Sequence, residues 1–198
     1  MRQVLCLRRR LARLCLLAIV PTSTGCATLQ QLAALPQVAF HIDGTSDATL
    51  GGIDLDRVRR VEDLRPTDLL RIAAAVRGRR LPLRFDLHVG ADNASANRYD
   101  LHLERLEWTL LLEDRETVRG VFTRDLVIGA AGTTDIPIEV ELDLLRFFDD
   151  GATDLAAVAL RAAGADGPRN IKLRARPTLR APWGSVRFPN EITIAGRV

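Results

Sequence analysis

The sequence predicts an all-β fold: a two-sheet sandwich carrying two short accessory helices. Three observations lead there. Apolar residues recur at period two in many short segments, turn residues separate those segments, and helical spacing is confined to two places. Strict alternation puts one face of a strand against a core and the other in water, so the apolar faces of many such strands must close on one another.

In chain order, Val38, Phe40 and Ile42 alternate with Ala39 and His41. Leu69, Leu70, Ala73 and Val76 follow Pro66 at helical spacing, with Thr67 as the expected cap. Leu83, Phe85, Leu87 and Val89 alternate with Arg84, Asp86 and His88. The next strand changes phase: Tyr99, Leu101 and Leu103 are odd-numbered, whereas Leu106, Trp108, Leu110 and Leu112 are even. Facing both sets to one core requires a β-bulge near Glu104 and Arg105. Ile136, Ile138, Val140, Leu142 and Leu144 alternate with Pro137, Glu139, Glu141 and Asp143. A second helix is expected after Thr153, from Leu155, Val158, Ala159 and Ala162. Ile171, Leu173, Ala175 and Leu179 alternate with Lys172, Arg174, Thr178 and Arg180, and Val186, Phe188, Ile192 and Ile194 close the pattern. Pro137 and Pro177 predict edge positions, because proline cannot donate to a ladder. Neither an internal repeat nor a second domain is visible.

The first 25 residues carry no β pattern. A basic stretch with Arg2, Arg8, Arg9, Arg10 and Arg13 precedes a short apolar run from Leu14 to Val20 and then Pro21-Thr22-Ser23-Thr24-Gly25. That order is expected of an export signal, and the apolar run is too short to span a bilayer, which needs about 20 residues. Ser23-Thr24-Gly25-Cys26 resembles the lipobox of bacterial lipoproteins, with Ser23 where that motif usually has leucine. The resemblance implies that Cys26 is diacylglycerated and becomes the first mature residue. Several acyl chains, at about 0.8 kcal/mol per buried methylene, would hold the protein on a membrane. With Ala27 in place of the aspartate of inner-membrane lipoproteins, the resemblance implies the outer membrane's periplasmic face. Cys6 and Cys15 precede Cys26, so the mature protein would hold one thiol and no internal disulfide. The expected organisation is a signal at 1–25, a lipidated tether at 26–36 and one sandwich domain at 37–198.

Placing the charges removes one class of function. The whole chain has 28 basic and 25 acidic residues, but subtracting the five arginines of the signal leaves 23 basic groups, a slightly acidic domain. The basic footprint of a nucleic-acid binder is therefore missing, and Arg174, Arg176 and Arg180 read as the wet face of a strand.

Catalytic motifs are also missing: no Gly-x-Ser-x-Gly elbow, phosphate-binding loop, His-Glu-x-x-His or cysteine pair occurs. Ser46, Ser95 and Ser185 lie in turn-like contexts with no histidine partner nearby in sequence. His41, His88 and His102 all fall on the polar phase of their strands. A hairpin about Asn93 would make His88 and His102 cross-strand neighbours beside Asp86 and Glu104, and two histidines with a carboxylate could hold a zinc-like ion. These two are the metal candidates; the plainer expectation is a solvated pair, with neither metal nor cofactor. Glu139, Glu141 and Asp143 are spread along one strand and so do not wrap a calcium ion. Trp108 belongs to the apolar phase and is expected in the core, and Trp183 is expected to cover a sandwich end.

The segment Leu81-Pro82-Leu83-Arg84-Phe85-Asp86-Leu87-His88-Val89, followed by Ala91-Asp92-Asn93-Ala94, resembles the late embryogenesis abundant group 2 family and its WHy (water stress and hypersensitive response) domain. Leu103-Glu104-Arg105-Leu106-Glu107-Trp108, Gly120, Thr134-Asp135-Ile136-Pro137 and Ala181-Pro182-Trp183-Gly184 also fit, so the resemblance runs from about Pro36 to the C-terminus. The departure is Ala94, where the family has proline. The resemblance implies an immunoglobulin or fibronectin type III-like sandwich and a non-catalytic protectant of other proteins in desiccation or freezing. Its partners would be the membrane, through Cys26, and client proteins. The alternative is an envelope binding module that carries an apolar ligand or forms a fixed part of an assembly; an enzyme comes third.

Overall fold

The first alternating segment runs well past its expected limit, as a strand β1 spanning Val38–Leu50. The computed structural model describes residues 37–148, 152–165 and 171–196, all within one compact unit, Leu35–Val198. The expected signal, Cys26 and the tether lie outside the described residues. After β1 come β2 (Ile53–Asp54), a 3-10 turn at Val61–Asp63, α1 (Pro66–Arg77), β3 (Pro82–Asn93), β4 (Leu101–Leu112) and β5 (Arg115–Phe122). Then follow β6 (Leu126–Ile128), β7 (Thr133–Asp143), a 3-10 turn at Leu144–Arg146, α2 (Ala152–Ala162), β8 (Ile171–Ala181), β9 (Gly184–Arg187) and β10 (Ile192–Ala195).

Two antiparallel sheets result. The first runs β2-β1-β3-β7 and the second β10-β8-β4-β5, with β6 continuing β5 along β4 and β9 lying beside β10 along β8. Each period-two pattern turns its apolar phase inward. Leu83, Phe85, Leu87 and Val89 on β3 and Leu103, Leu106 and Leu110 on β4 are all at most 2% exposed. With Ile136, Ile138 and Val140 of β7 and Ile171, Leu173 and Leu179 of β8 they form a single cluster. Each fully buried side chain of this size contributes about 1.5–3 kcal/mol, which makes this layer the source of stability.

The phase change in β4 is absorbed where expected. Leu103 pairs with Leu179 and Arg105 with Thr178, so Glu104 is the extra residue of a bulge, and both apolar sets face the core. Trp108 is 8% exposed, as its phase predicted. Gly120 stands opposite it on β5, where an added Cβ would lie 2.3 Å from the indole Cζ2.

Three expectations are corrected. Helix α1 buries Ile72, whereas Leu70 is 67% exposed and Leu69 also faces solvent. Its N-cap is Arg65, whose N–H donates to Asp68 Oδ2 at 3.3 Å, with Pro66 in the first turn; Thr67 lies inside the helix. Helix α2 matches its expected face: Leu155, Val158, Ala159 and Ala162 are buried. Pro137 is on the edge strand β7, but Pro177 is in β8, an interior strand. The Pro177 carbonyl accepts from Phe188 N at 3.0 Å, so its backbone polar groups point away from β4, toward the break between β9 and β10. No ladder donor is required there.

The third correction concerns Asn93. Strands β3 and β4 do not form a hairpin; they belong to different sheets. Asn93 is 4% exposed and donates through Nδ2 to the carbonyls of Tyr99 (3.1 Å) and Ile128 (3.2 Å). Its Oδ1 accepts from Asn97 Nδ2 at 2.9 Å, and Asn97 Nδ2 also donates to Gln37 O at 3.0 Å. This buried network satisfies a crossing that carries the chain from one sheet to the other.

Candidate functional site

Each histidine is held by carboxylates. His41, 8% exposed, has Nε2 at 2.9 Å from Asp43 Oδ1 and Nδ1 at 3.3 Å from Asp92 Oδ2. The ring lies over Gly90, where a Cβ would meet Nε2 at 2.2 Å, so only glycine admits it. Asp92 Oδ1 accepts from Thr133 Oγ1 at 2.6 Å.

His88 lies on the same outer face. Its Nδ1 is 2.8 Å from Asp135 Oδ2, and its Nε2 is 2.9 Å from Ser46 Oγ. The register explains the meeting. His88 is flanked by Gly44 on β1 and Pro137 on β7, so Ser46 and Asp135 are its diagonal neighbours on the two adjoining strands. Strand β1 shifts register between Ile42 and Gly44 and again between Ser46 and Thr49, and Asp47 between those last two has φ +53°. Ser46 Oγ also lies 3.0 Å from Asp47 Oδ2. Nothing local in the sequence marks Ser46: His88 is 42 residues away, and Asp135, the partner of His88, lies a further 47 beyond it. Of the other serines, Ser185 donates to Glu104 Oε2 at 2.7 Å and Ser95 is exposed in the crossing.

His102 faces outward from the second sheet, with Nδ1 3.1 Å from Asp125 Oδ1; Arg180 Nη2 reaches Asp125 Oδ2 at 3.1 Å. His88 and His102 are therefore not neighbours, and the expected ion-binding pair with Asp86 and Glu104 does not assemble, because it needed a hairpin at Asn93. Among the described residues no group of three or more His, Cys, Asp or Glu side chains is arranged to hold a metal ion.

The outer face of the second sheet is a lattice of charge. Glu107 takes Arg105 Nε at 3.1 Å and Arg187 Nη2 at 2.6 Å; Glu116 takes Arg119 Nη2 at 2.8 Å and also Arg174. Arg180 Nε donates to Glu104 at 2.8 Å and Lys172 Nζ to Asp114 at 2.5 Å. These hydrogen bonds, from Arg105 first and then Arg187, hold the Glu107 carboxyl below the usual glutamate range, and those from Arg119 and Arg174 do the same to Glu116. On the first sheet Arg84 Nη2 donates to Glu141 Oε1 at 3.0 Å, lowering the Glu141 carboxyl and raising the guanidinium. Glu139 and Glu141 are exposed, whereas Asp143 Oδ1 accepts from Leu81 N at 2.9 Å. Glu141 and Asp143 thus serve separate partners. Trp183 packs edge-on against Tyr99, ring centroids 4.9 Å apart, over the Asn93 crossing. A surface hollow of about 630 Å³ between Arg79, Arg80, Pro82, Glu141, Arg146 and Phe147 is mixed in charge and contains none of the histidines.

No family model matches the chain, and no curated protein matches it either. Among solved structures, a candidate late embryogenesis abundant (LEA) protein known from a solution structure is 13% identical, covering 87% of this chain and 76% of that one, with a TM-score of 0.41. A structural-genomics target solved by X-ray diffraction is 8% identical, covering 81% of this chain and 82% of that one, with a TM-score of 0.39. A protein from Archaeoglobus fulgidus is 11% identical over 59% of this chain and 87% of its own, with a TM-score of 0.32. Each is a remote likeness.

Proposed function

We infer that this is a lipid-anchored envelope protein of the LEA type 2, WHy kind, which protects other proteins during drying and freezing. The observation that carries this reading is the lattice of arginines and carboxylates on the second sheet, including Glu107 between Arg105 and Arg187 and Glu116 between Arg119 and Arg174. Exposed ion pairs contribute only about 0–1 kcal/mol each, so stability alone is a weak reason for so many. What they supply is a folded surface that stays hydrated and offers both signs of charge to a client. Protection of this kind needs no bond-making step. Acylation at Cys26 would keep the domain at the outer membrane's periplasmic face. The other reading, an apolar ligand carried between the sheets, has less support, since the inward side chains pack into one cluster.

The test is to dry or freeze-thaw a labile reporter enzyme with residues 27–198 and with an equal mass of an inert protein. Protection well above the control is expected, and it should fall when Glu107, Glu116 and Arg174 are changed to glutamine with the fold retained. Protection no better than the control overturns the reading. Mass spectrometry of the membrane-extracted protein tests the anchor, and an unmodified Cys26 would remove it.

A further inference from the structure

Ser46, His88 and Asp135 stand in the order nucleophile, base and carboxylate. We propose that Ser46 is an activated nucleophile, with His88 as its general base and Asp135 as the residue that orients His88, and that the site cleaves small neutral or cationic esters. The inference is independent of the protective role, which requires no catalysis.

The hydrogen bonds set the direction of proton flow. The ionised Asp135 carboxylate can only accept, so at 2.8 Å it places the proton of the neutral imidazole on Nδ1. Nε2 is then a bare acceptor 2.9 Å from Ser46 Oγ, one of two acceptors within reach of the hydroxyl proton, the other being Asp47 Oδ2. Three adjacent strands supply the three groups: Ser46 from β1, His88 from β3 and Asp135 from β7. The bulged backbone on either side of Ser46, with Asp47 at φ +53°, is where a strand re-aims a side chain, and bulges are over-represented beside active sites. Space for a substrate exists next to His88, because Gly44 is its cross-strand partner and a Cβ there would meet nothing within 4 Å.

The reaction balances without a cofactor. Ser46 Oγ attacks the ester carbonyl carbon as its proton passes to His88 Nε2. The ester C–O bond breaks, and the departing alcohol takes that proton. Water then adds to the acyl-Ser46 carbonyl, giving a proton to Nε2; the acyl–Oγ bond breaks as Nε2 returns that proton to Ser46 Oγ, and the acid departs. Asp43, Asp86, Asp92, Glu139 and Glu141 also face outward from this sheet, with Arg84 paired to Glu141, so the excess negative charge repels anionic esters and admits neutral or cationic ones. Asp47 acts as a brake. Its Oδ2, 3.0 Å from Ser46 Oγ, competes with His88 for the one hydroxyl proton.

The experiment treats the full-length membrane-extracted protein with a fluorophosphonate probe and p-nitrophenyl acetate, and maps the phosphonyl adduct by mass spectrometry. The adduct is expected on Ser46 and not on Ser95 or Ser185. Ser46→Ala should abolish labelling, and His88→Gln should slow labelling and ester cleavage about a hundredfold. Asp135→Asn should slow both and also change the pH profile of labelling, which a purely structural role would leave in place. Asp47→Asn should accelerate labelling several-fold. All four positions are on the outer face, and circular dichroism would verify that each variant is folded. Absence of an adduct at Ser46 overturns the proposal, as does labelling whose rate is the same in His88→Gln and Asp135→Asn as in the parent. Loss of labelling with reporter protection intact would separate this site from the protective role.

Discussion

Asn97 Nδ2 donates to Asn93 Oδ1 at 2.9 Å in a buried setting where β3 hands the chain to the other sheet. Asn93 in turn supplies the donors for the carbonyls of Tyr99 and Ile128. Removing its amide leaves those carbonyls without that donor, and each buried unsatisfied group costs about 1–3 kcal/mol. Asn93→Leu should therefore destabilise the domain by about 2–4 kcal/mol, read as a lower urea midpoint at constant slope. A change within experimental error would show that water replaces the amide.

The same crossing makes an unusual prediction for Ala94, the position where the resembling family carries proline. The Ala94 N–H donates to Gln37 O at 3.1 Å. Ala94→Pro removes that donor, so the substitution toward the family pattern should lower stability, by about 1 kcal/mol, since Gln37 O keeps its bond from Asn97. Thermal unfolding of the variant measures it; a raised melting temperature would contradict the geometry.

Gly120→Ala tests the packing of Trp108. The added methyl would lie 2.3 Å from Cζ2, so the indole or the strand must move, an overpacking cost of about 1–3 kcal/mol. Combining it with Trp108→Leu should recover part of the loss, a coupling that a double-mutant cycle measures. Strict additivity would mean that the strand, not the ring, gives way.

Acid should loosen the charged faces in a defined direction. Glu107, Glu116 and Glu141 are held below the usual glutamate range by their arginines, so folding favours their ionised forms. Their contribution is present above that range and is lost as pH falls through the lowered values. All three are solvent-facing, so the effect per residue is small and salt-sensitive. A variant with Glu107, Glu116 and Glu141 all changed to glutamine should show a shallower loss of urea midpoint below the ordinary glutamate range than the parent. An identical pH dependence would assign acid sensitivity to other groups.

The strands were legible wherever one face is wet and one dry, as in β3, β7 and β8, because period two is then written in residue type. Even the bulge at Glu104 could be read, since parity of the apolar positions must change across it. Strand β5 was harder: Val121 is 47% exposed, and its wet and dry faces differ little. Helix α1 offers two apolar stripes, Leu69 with Leu70 and Ile72 with Val76, and only the neighbour it packs on, α2, selects between them. Pro177 looked like an edge residue because sequence records a missing donor but not which neighbouring strand stops beside it. The pairing of His88 with Ser46 and Asp135 depends on strand order and register across 42 or more residues, and the His88–His102 expectation failed on the same ground. Buried asparagines decided that order, and polarity alone made Asn93 look like a turn.

Both sheets end in interrupted borders. On the first, β7 carries Pro137, while β1 is covered by the short β2 at one end, bent twice, and met by Gly196 at Ile42. On the second, the outer rows are split, β5 from β6 along β4 and β9 from β10 along β8. A continuous row of free backbone groups is what templates growth of one copy onto the next. Molecules crowded together as water leaves would meet at such borders first, and among the described residues the longest uninterrupted outer row of the second sheet is the eight-residue β5. Interrupted borders of this kind disfavour edge-to-edge growth between crowded copies.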